Sequence, residues 1–194
     1  MGSVCDLGVS SITCNFSGVH HLNQRLPRGV IEMLARLDDP RKGHVVYRNP
    51  NGGVRLPRIS MITSNTPILS GSLRRALTLG ASARASDKEI VRVAHQYGLG
   101  PLLDGLGSVE GRLAENGENL TPEQALRLLI TRAALTSPSI VLVEAKLLAG
   151  DVDAPDLITQ LRREGDLAVL VVGDEAPHPG WLQVGTHQGA EEPE

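Results

Sequence analysis

Residues 120–144 read LTPEQALRLLITRAALTSPSIVLVE and contain the clearest structural pattern of this 194-residue chain. Thr121, followed by Pro-Glu-Gln, is a typical helix start, because a threonine hydroxyl accepts a backbone N–H of the first turn and proline suits the first helical position. The helix is predicted to run to about Leu135. After Pro138, residues 140–143 (IVLV) are short, apolar and β-branched, as expected of a strand buried in a parallel sheet. The stretch therefore predicts a helix followed by a core strand.

Outward from this stretch, predicted helices and strands alternate. Residues 59–63 and 168–172 are further strand segments, and residues 156–163 have helical character. Residues 70–135 are mainly helical, with a capping-box start at Ser86 and a Gly- and Asn-rich loop at 107–119. Alternation of this kind predicts an α/β fold with a helical insert.

The N-terminal part has a different pattern. Residues 4–29 alternate weakly and contain turn formers, which predicts short antiparallel strands. Residues 30–37 place Val30, Met33, Leu34 and Leu37 at helical spacing, and Asp-Asp-Pro follows as a stop signal. Residues 45–47 (VVY) predict a short strand.

The composition excludes several classes of protein. The net charge of −3, the pI of about 6.1 and an aromatic content of 2% argue against a dedicated nucleic-acid binder. The two cysteines, Cys5 and Cys14, form no CxxC or zinc-type pattern, which fits a reducing cytosolic compartment. No apolar run approaches the ~20 residues that span a bilayer, and no signal peptide is expected.

The ordered segments resemble the ATP-binding cassette domain of ABC exporters over nearly the whole chain. Four stretches carry the resemblance: residues 34–40 (LARLDDP) are similar to the family's LARLYDP, 69–74 (LSGSLR) to FSGTIRE, 117–124 (GENLTPEQ) to the G-x-x-LSGGQ signature, and 130–135 (ITRAAL) to LARALL. The resemblance implies a P-loop-NTPase-like α/β core with a helical subdomain and an N-terminal antiparallel β part.

The resemblance also divides the chain. Residues 1–68 would form the β-rich N-terminal part and a core without a phosphate loop. Residues 69–136 would form the helical subdomain with a degenerate signature helix, residues 137–188 the rest of the core, and residues 189–194 a disordered tail.

The phosphate-binding loop of the family is missing from the sequence. There is no G-x-x-x-x-G-K-[ST] run, and no lysine lies between Met1 and Arg41. Residues 27–29 (PRG) lead directly into the helix at Val30, where the family would first place a strand and the loop. We therefore expect one core strand to be missing and the parallel core to be smaller. Near the start of the helix, only Arg25 and Arg28 could supply positive charge in place of the loop's lysine.

The remaining catalytic positions are altered as well. The family's Walker B strand ends in Asp-Glu, and these positions fall on Glu144 and Ala145; a one-residue shift gives Val143 and Glu144, so one acid stands where two are needed. Glu144 could hold a metal, but a lone acid at a strand end is more often a cap or an ion-pair partner. The Q-loop glutamine falls on Ser64 and the H-loop histidine on Asp174, whose charge would repel a γ-phosphate.

The signature motif is replaced by Leu120, Thr121, Pro122, Glu123 and Gln124. Thr121 retains a hydroxyl and Gln124 matches the family, whereas Pro122 and Glu123 replace two glycines. Proline removes a backbone N–H, and glutamate places negative charge where a phosphate would bind. The segment fits a helix start better than an ATP contact.

Three histidines, His20, His21 and His178, suggest a metal site as an alternative. Adjacent residues of a strand face opposite sides, so His20 and His21 cannot act together there. Surface histidines are the preferred interpretation, and no metal is expected.

The main hypothesis is a degenerate, non-hydrolytic ABC-type domain that is a structural or regulatory partner of another cassette or a transmembrane transport subunit, or of a second copy of itself. It would be cytoplasmic, or held at the cytoplasmic face of a membrane by that partner, without nucleic acid and without a cofactor. The alternatives are an ATPase with residual ATP and Mg²⁺ binding, and a free-standing protein-interaction module.

Overall fold

The computed structural model describes residues 19–23, 30–38, 57–81, 85–165, 167–173 and 178–183. The expectations for residues 4–18, the strand at 45–47 and the tail at 189–194 lie outside this part of the chain. The strands are β1 (Val19–Asn23), β2 (Ile59–Ile62), β3 (Gly71–Ser72), β4 (Arg112–Leu113), β5 (Ile140–Glu144), β6 (Ala168–Gly173) and β7 (Leu182–Gln183). The helices are α1 (Val30–Leu34), α2 (Leu73–Thr78), α3 (Asp87–Gln96), α4 (Gly100–Leu106), α5 (Pro122–Thr136), α6 (Ala145–Leu148) and α7 (Ala154–Glu164).

A five-stranded parallel sheet forms the core, in the order β2-β5-β6-β1-β7. The central apolar strands β5 and β6 pair in register, with Val143 opposite Val171. Such runs are buried because helices cover both faces of a parallel sheet. The predicted P-loop-NTPase-like α/β class is confirmed, as are the three strands predicted at residues 59–63, 140–143 and 168–172.

The expectation for residues 19–23 was wrong. These residues form β1, which lies between β6 and β7 and is parallel to both, rather than part of an antiparallel region. The sheet therefore has an additional interior strand, and the smaller core expected from a missing strand is not found. The sequence VHHLN does not indicate an interior parallel strand because two histidines interrupt its apolar pattern. Strand β1 is followed by α1, with six residues of sequence between them, which is the order of strand and helix in phosphate-loop proteins.

Helix α1 is shorter than predicted, because it ends at Leu34 instead of Leu37. Arg36 has a left-handed φ of 60°, which stops the helix one turn earlier, and Leu37 is 70% exposed. Met33 is buried as expected. The exposure of Leu37 shows that its helical spacing was accidental.

The alternation of side chains along the strands divides the core into two apolar layers. Ile140, Leu142 and Leu170 pack with Ile31 and Leu34 of α1 on one face of the sheet. The larger layer is on the other face, where the intervening strand residues pack with α5 and α7. The sheet is thus covered on both sides, in an α/β/α arrangement.

The helical insert between β2 and β5 agrees closely with the sequence pattern. The Ser86 hydroxyl accepts the Glu89 N–H at 3.2 Å, as the predicted capping-box start requires. Ile90, Val93 and Ala94 of α3, and Tyr97 directly after it, are buried. The predicted loop at 107–119 also contains the short strand β4, which pairs antiparallel with β3. Helix α5 connects this insert to the sheet because it packs against α2, α3 and β2.

Arg132 of α5 is a buried cation in this insert, with only 7% of its surface exposed. Its Nε donates to Ala76 O at 2.7 Å and one terminal nitrogen donates to Pro67 O at 3.1 Å. Burial lowers the pKa of its guanidinium. These bonds join α5 to α2 and to the segment that follows β2.

Candidate functional site

Two residues that the sequence assigned to separate motifs, Ser64 and Glu144, are in direct contact. Strands β2 and β5 are parallel neighbours with Ile62 opposite Val143, so the residues after them meet at the same edge of the sheet. The backbone N–H and the hydroxyl of Ser64 both donate to Glu144 Oε2, at 2.8 and 2.9 Å. The Q-loop and Walker B positions of the resemblance are therefore joined by two hydrogen bonds.

A compact turn after β2 places Ser64 against Glu144. The Thr63 N–H donates to the Thr66 hydroxyl at 3.0 Å, and Thr66 N donates back to Thr63 O at 3.0 Å. The Thr66 hydroxyl also donates to Met61 O at 3.2 Å. Side-chain hydroxyls that bind the nearby backbone favour turns of this kind.

The second oxygen of Glu144 is paired with Lys146, whose Nζ lies 2.7 Å from Oε1. Burial opposes ionisation of Glu144, but the hydrogen bonds from Lys146 and Ser64 outweigh it and hold the pKa of this carboxyl below its ordinary value. The carboxylate is thus ionised near neutral pH, and both of its oxygens are engaged by groups of the chain itself.

Ala145 follows Glu144 and lies against the end of β6. It is 3% exposed, at the start of α6. Gly173 has a φ of 152°, and a Cβ at this position would lie 2.7 Å from the Ala145 Cβ. His21 donates from Nε2 to Gly173 O at 3.1 Å. The residue beside Glu144, Ala145, therefore contributes only a methyl group, and this group is tightly packed.

Replacement of Gly173 with alanine is expected to destabilise the chain by about 1–3 kcal/mol, because it combines a disfavoured backbone angle with a contact to Ala145. Chemical denaturation measures this loss. The matched control is Gly105→Ala in α4, where a Cβ meets nothing within 4 Å; this substitution should leave stability unchanged or slightly raised. Equal effects of the two substitutions would contradict the close packing of β6 on α6.

The residues at the signature position form the first turn of α5. Thr121 Oγ1 accepts the Gln124 N–H at 3.1 Å, and Gln124 Oε1 accepts the Thr121 N–H at 3.0 Å, which is a complete capping box. Pro122 occupies the first helical position, and Leu120 is half-buried. The interpretation of Thr121 as a helix cap is confirmed.

Replacement of Thr121 with alanine is expected to cost about 1 kcal/mol of unfolding free energy, because the Gln124 N–H loses its acceptor. Thr121→Ser keeps the hydroxyl and should remain within a few tenths of a kcal/mol of the wild type. Urea denaturation of both variants tests this, and a serine variant as unstable as the alanine variant would contradict the capping role.

Glu123, the other substituted signature residue, belongs to a network around Arg127. Arg127 pairs with Glu123 at 3.0 Å, with Asp153 at 3.1 Å and with Asp151 at 2.7 Å. The Asp151 side chain is 2% exposed, and its Oδ1 also accepts the Asp153 N–H at 3.0 Å. These ion pairs connect the start of α5 to the loop before α7.

Other predicted site residues are separate from this region or lie outside the described chain. Within the described ranges, no hydrogen bond or ion pair connects residues 120–124 to Ser64 or Glu144. Asp174, Arg25 and Arg28 are not among the described residues.

The preferred interpretation of His20 and His21 as surface residues was wrong, because they are 7% and 0% exposed. Both lie in β1, an interior strand that is covered on each face. Among the described residues there is no group of three or more potential metal-ligating His, Cys, Asp or Glu side chains. In the same part of the chain, no helix has the length and hydrophobicity needed to cross a membrane.

A cleft of about 470 Å³ lies at the opposite edge of the sheet. Arg58, Ser139 and Leu167, which precede β2, β5 and β6, line it together with residues of α3 and α7. Arg58 donates to Ser137 O at 2.6 Å, and Glu164 accepts from the Tyr97 hydroxyl at 3.1 Å. The charged groups Arg58 and Glu164 of this cleft are bound to other groups of the chain. The positions that the resemblance singled out, Ser64 and Glu144, lie instead where the strands end.

Comparison with known proteins relates this chain to ABC transporters. It is 24% identical over 152 residues to an ABC-type transporter of Curvularia clavata, covering 73% of this chain and 11% of that transporter. It is 27% identical to the glutathione/L-cysteine transport system ATP-binding/permease protein of Escherichia coli, covering 70% of this chain and 24% of that protein. An ABC transporter ATP-binding protein of Haemophilus influenzae is 22% identical, and the match covers 68% of this chain and 24% of that protein.

No family model matches the chain. Its homologues are nevertheless ABC transporter proteins at low identity over about 70% of its length, and this similarity supports an ABC-cassette-related domain. The parallel sheet agrees with such a domain. The chain spans only 11–24% of the length of these three relatives.

Several residues of these networks were not predicted from the sequence. Lys146 was not singled out, although it lies two residues after Glu144. The Glu123–Arg127 pair has the four-residue spacing of a helical ion pair and was detectable in principle. Asp151 gave no such signal, because its partner is 24 residues away in sequence.

Proposed function

We propose that this chain is a degenerate ABC-cassette domain that does not hydrolyse ATP and is a structural or regulatory partner of another cassette or a transport subunit. The observation that carries the proposal is the state of Glu144, whose two oxygens are bound by Ser64 and Lys146. A carboxylate in this state has no free oxygen directed at a metal-bound nucleotide.

The residue next to Glu144 supports the same conclusion. Phosphoryl transfer to water needs a group that orients the attacking water and a metal that neutralises charge on the phosphates. In the ungapped match to the family, Ala145 falls at the position of that group, and it is buried against Gly173. A methyl group can neither accept a proton nor orient water.

The two phosphate-binding elements of the family also lack the required chemistry. The connection between β1 and α1, residues 24–29, reads QRLPRG and contains one glycine and no lysine, whereas the phosphate loop needs glycines, a lysine and backbone N–H groups. At the start of α5, Pro122 has no N–H and Glu123 carries a negative charge. We infer that four motifs of the family are present in degenerate form: Walker B at Glu144 and Ala145, the Q-loop at Ser64, the H-loop at Asp174 and the signature at residues 120–124.

The relatives, and the elements that the chain retains, support the proposed class of partner. The protein of E. coli is named an ATP-binding/permease protein, and this chain is similar to 24% of its length. A chain that keeps the folded core and the helical insert, with altered catalytic positions, is suited to docking. We place its partner among other cassettes, a second copy of the chain or transmembrane transport subunits, at the cytoplasmic face of a membrane.

Phosphate release from ATP and Mg²⁺ by the purified chain tests the proposal. We expect a rate equal to the buffer blank and unchanged in Glu144→Gln, with an active ABC transporter ATPase as the positive control. Release that exceeds the blank and is abolished by Glu144→Gln would sink the proposal and restore Glu144 as a catalytic residue.

A further inference from the structure

The chain itself supplies a cation and two hydrogen-bond donors to the carboxylate of Glu144. Oε2 accepts two hydrogen bonds from Ser64, and Oε1 pairs with the Lys146 ammonium at 2.7 Å. A carboxylate offers about four acceptor positions, so three are filled by the chain itself. The Glu144 side chain is 23% exposed and the Lys146 side chain 66% exposed, so the ion pair lies at the protein surface.

This environment does not fit the magnesium ion that cassettes of the resembled family use. Mg²⁺ requires an octahedral shell of oxygen ligands and is usually held by one or two carboxylates together with phosphate oxygens. The described neighbours of Glu144 supply an ammonium group, two hydrogen-bond donors and the methyl group of Ala145. A divalent cation at Oε1 would also lie close to the positive charge of Lys146.

We propose that Lys146 takes the place of the divalent cation at this edge of the sheet, so that Glu144 is neutralised within the chain and holds no metal. The inference rests on the proposed function and gives its site a defined chemistry. The pair with Lys146 balances the charge of Glu144, and the bonds from Ser64 hold β5 to the turn after β2. The contact between β5 and the turn after β2 is therefore independent of Mg²⁺.

Titration of the full-length chain with Mn²⁺, followed through the electron paramagnetic resonance signal of the free ion, tests this inference. The wild type and Glu144→Gln should leave the same amount of Mn²⁺ free. Lys146→Met keeps most of the side-chain volume without its charge, and it should lower the signal of free Mn²⁺ below that of the wild type because one carboxylate oxygen is uncovered. The double variant with Glu144→Gln should lose this binding.

Two results would overturn the inference. One is Mn²⁺ that the wild type retains and Glu144→Gln releases. The other is a folded Lys146→Met that binds no more Mn²⁺ than the wild type. Lys88→Met, on the exposed side of α3, controls for removal of a lysine elsewhere. Thermal unfolding of each variant establishes that it is folded.

Phosphate release measured on the same wild-type sample separates this inference from the proposed function. ATP hydrolysis would contradict the proposed function. Retention of Mn²⁺ by Glu144 without hydrolysis would overturn only the role of Lys146.

Discussion

Replacement of Arg127 with methionine is expected to lower the free energy of unfolding by about 3–5 kcal/mol, because it leaves the Asp151 carboxylate buried without its cation. Arg127 makes two hydrogen bonds to Asp151, at 2.7 and 3.1 Å, and the Asp151 side chain is 2% exposed. Methionine keeps much of the apolar stem, so the loss reports mainly the charge. Urea denaturation at pH 7 measures it.

The control is Arg163→Met on the exposed side of α7, which should change stability by less than about 0.5 kcal/mol. Glu123→Gln removes an exposed partner of the same arginine and should cost about 1 kcal/mol or less. An effect of Arg127→Met no larger than that of Arg163→Met would contradict the buried pair.

The pair of Arg127 and Asp151 also makes the stability of the protein depend on pH. The hydrogen bonds from Arg127 hold the pKa of Asp151 below its ordinary value of 3.8, although burial opposes this. A carboxyl with a lowered pKa in the folded state stabilises the protein fully above its unfolded pKa and loses this contribution as the pH falls. The stability difference between the wild type and Arg127→Met should therefore be largest near pH 7 and shrink below about pH 4.

Replacement of Leu142 with alanine is expected to cost about 2–5 kcal/mol, because it opens a cavity in the layer between the sheet and α1. Leu142 is 1% exposed in β5 and packs with Ile140 and Leu170. The measurement is chemical denaturation, with binding of a hydrophobic dye to detect loss of packing.

Leu37→Ala provides the matched comparison, since Leu37 follows α1 but is 70% exposed. It should change stability by less than about 0.5 kcal/mol. If the two leucines were equally sensitive, or equally insensitive, the burial of this face of the sheet would be contradicted.

The parts of the fold that the sequence predicts well are those in which burial and local pattern agree. The continuous apolar runs of β5 and β6 indicate a parallel sheet because both of their faces are covered. The caps at Ser86 and Thr121 predict the starts of α3 and α5 because they depend on neighbouring residues alone. Strand segments were predicted within residues 4–29, but the parallel, interior position of β1 was not, because His20 and His21 are polar in sequence and yet buried.

The candidate site was predictable only in part, for a related reason. The resemblance located Ser64 and Glu144 one by one, but their contact depends on the pairing of β2 with β5 across 80 residues. The ion pair with Lys146 depends on how α6 begins, and a pattern of residue types does not specify that geometry. Local chemistry can thus be inferred from sequence, whereas the state of the carboxylate needs the fold.

Calorimetric titration of the purified chain with ATP in the presence of Mg²⁺ tests the central claim most directly. The account predicts no measurable heat of binding, beside clear binding by an ABC cassette with an intact phosphate loop. Micromolar binding by this chain would contradict the account, and Glu144, Arg25 and Arg28 would then be the first residues to replace.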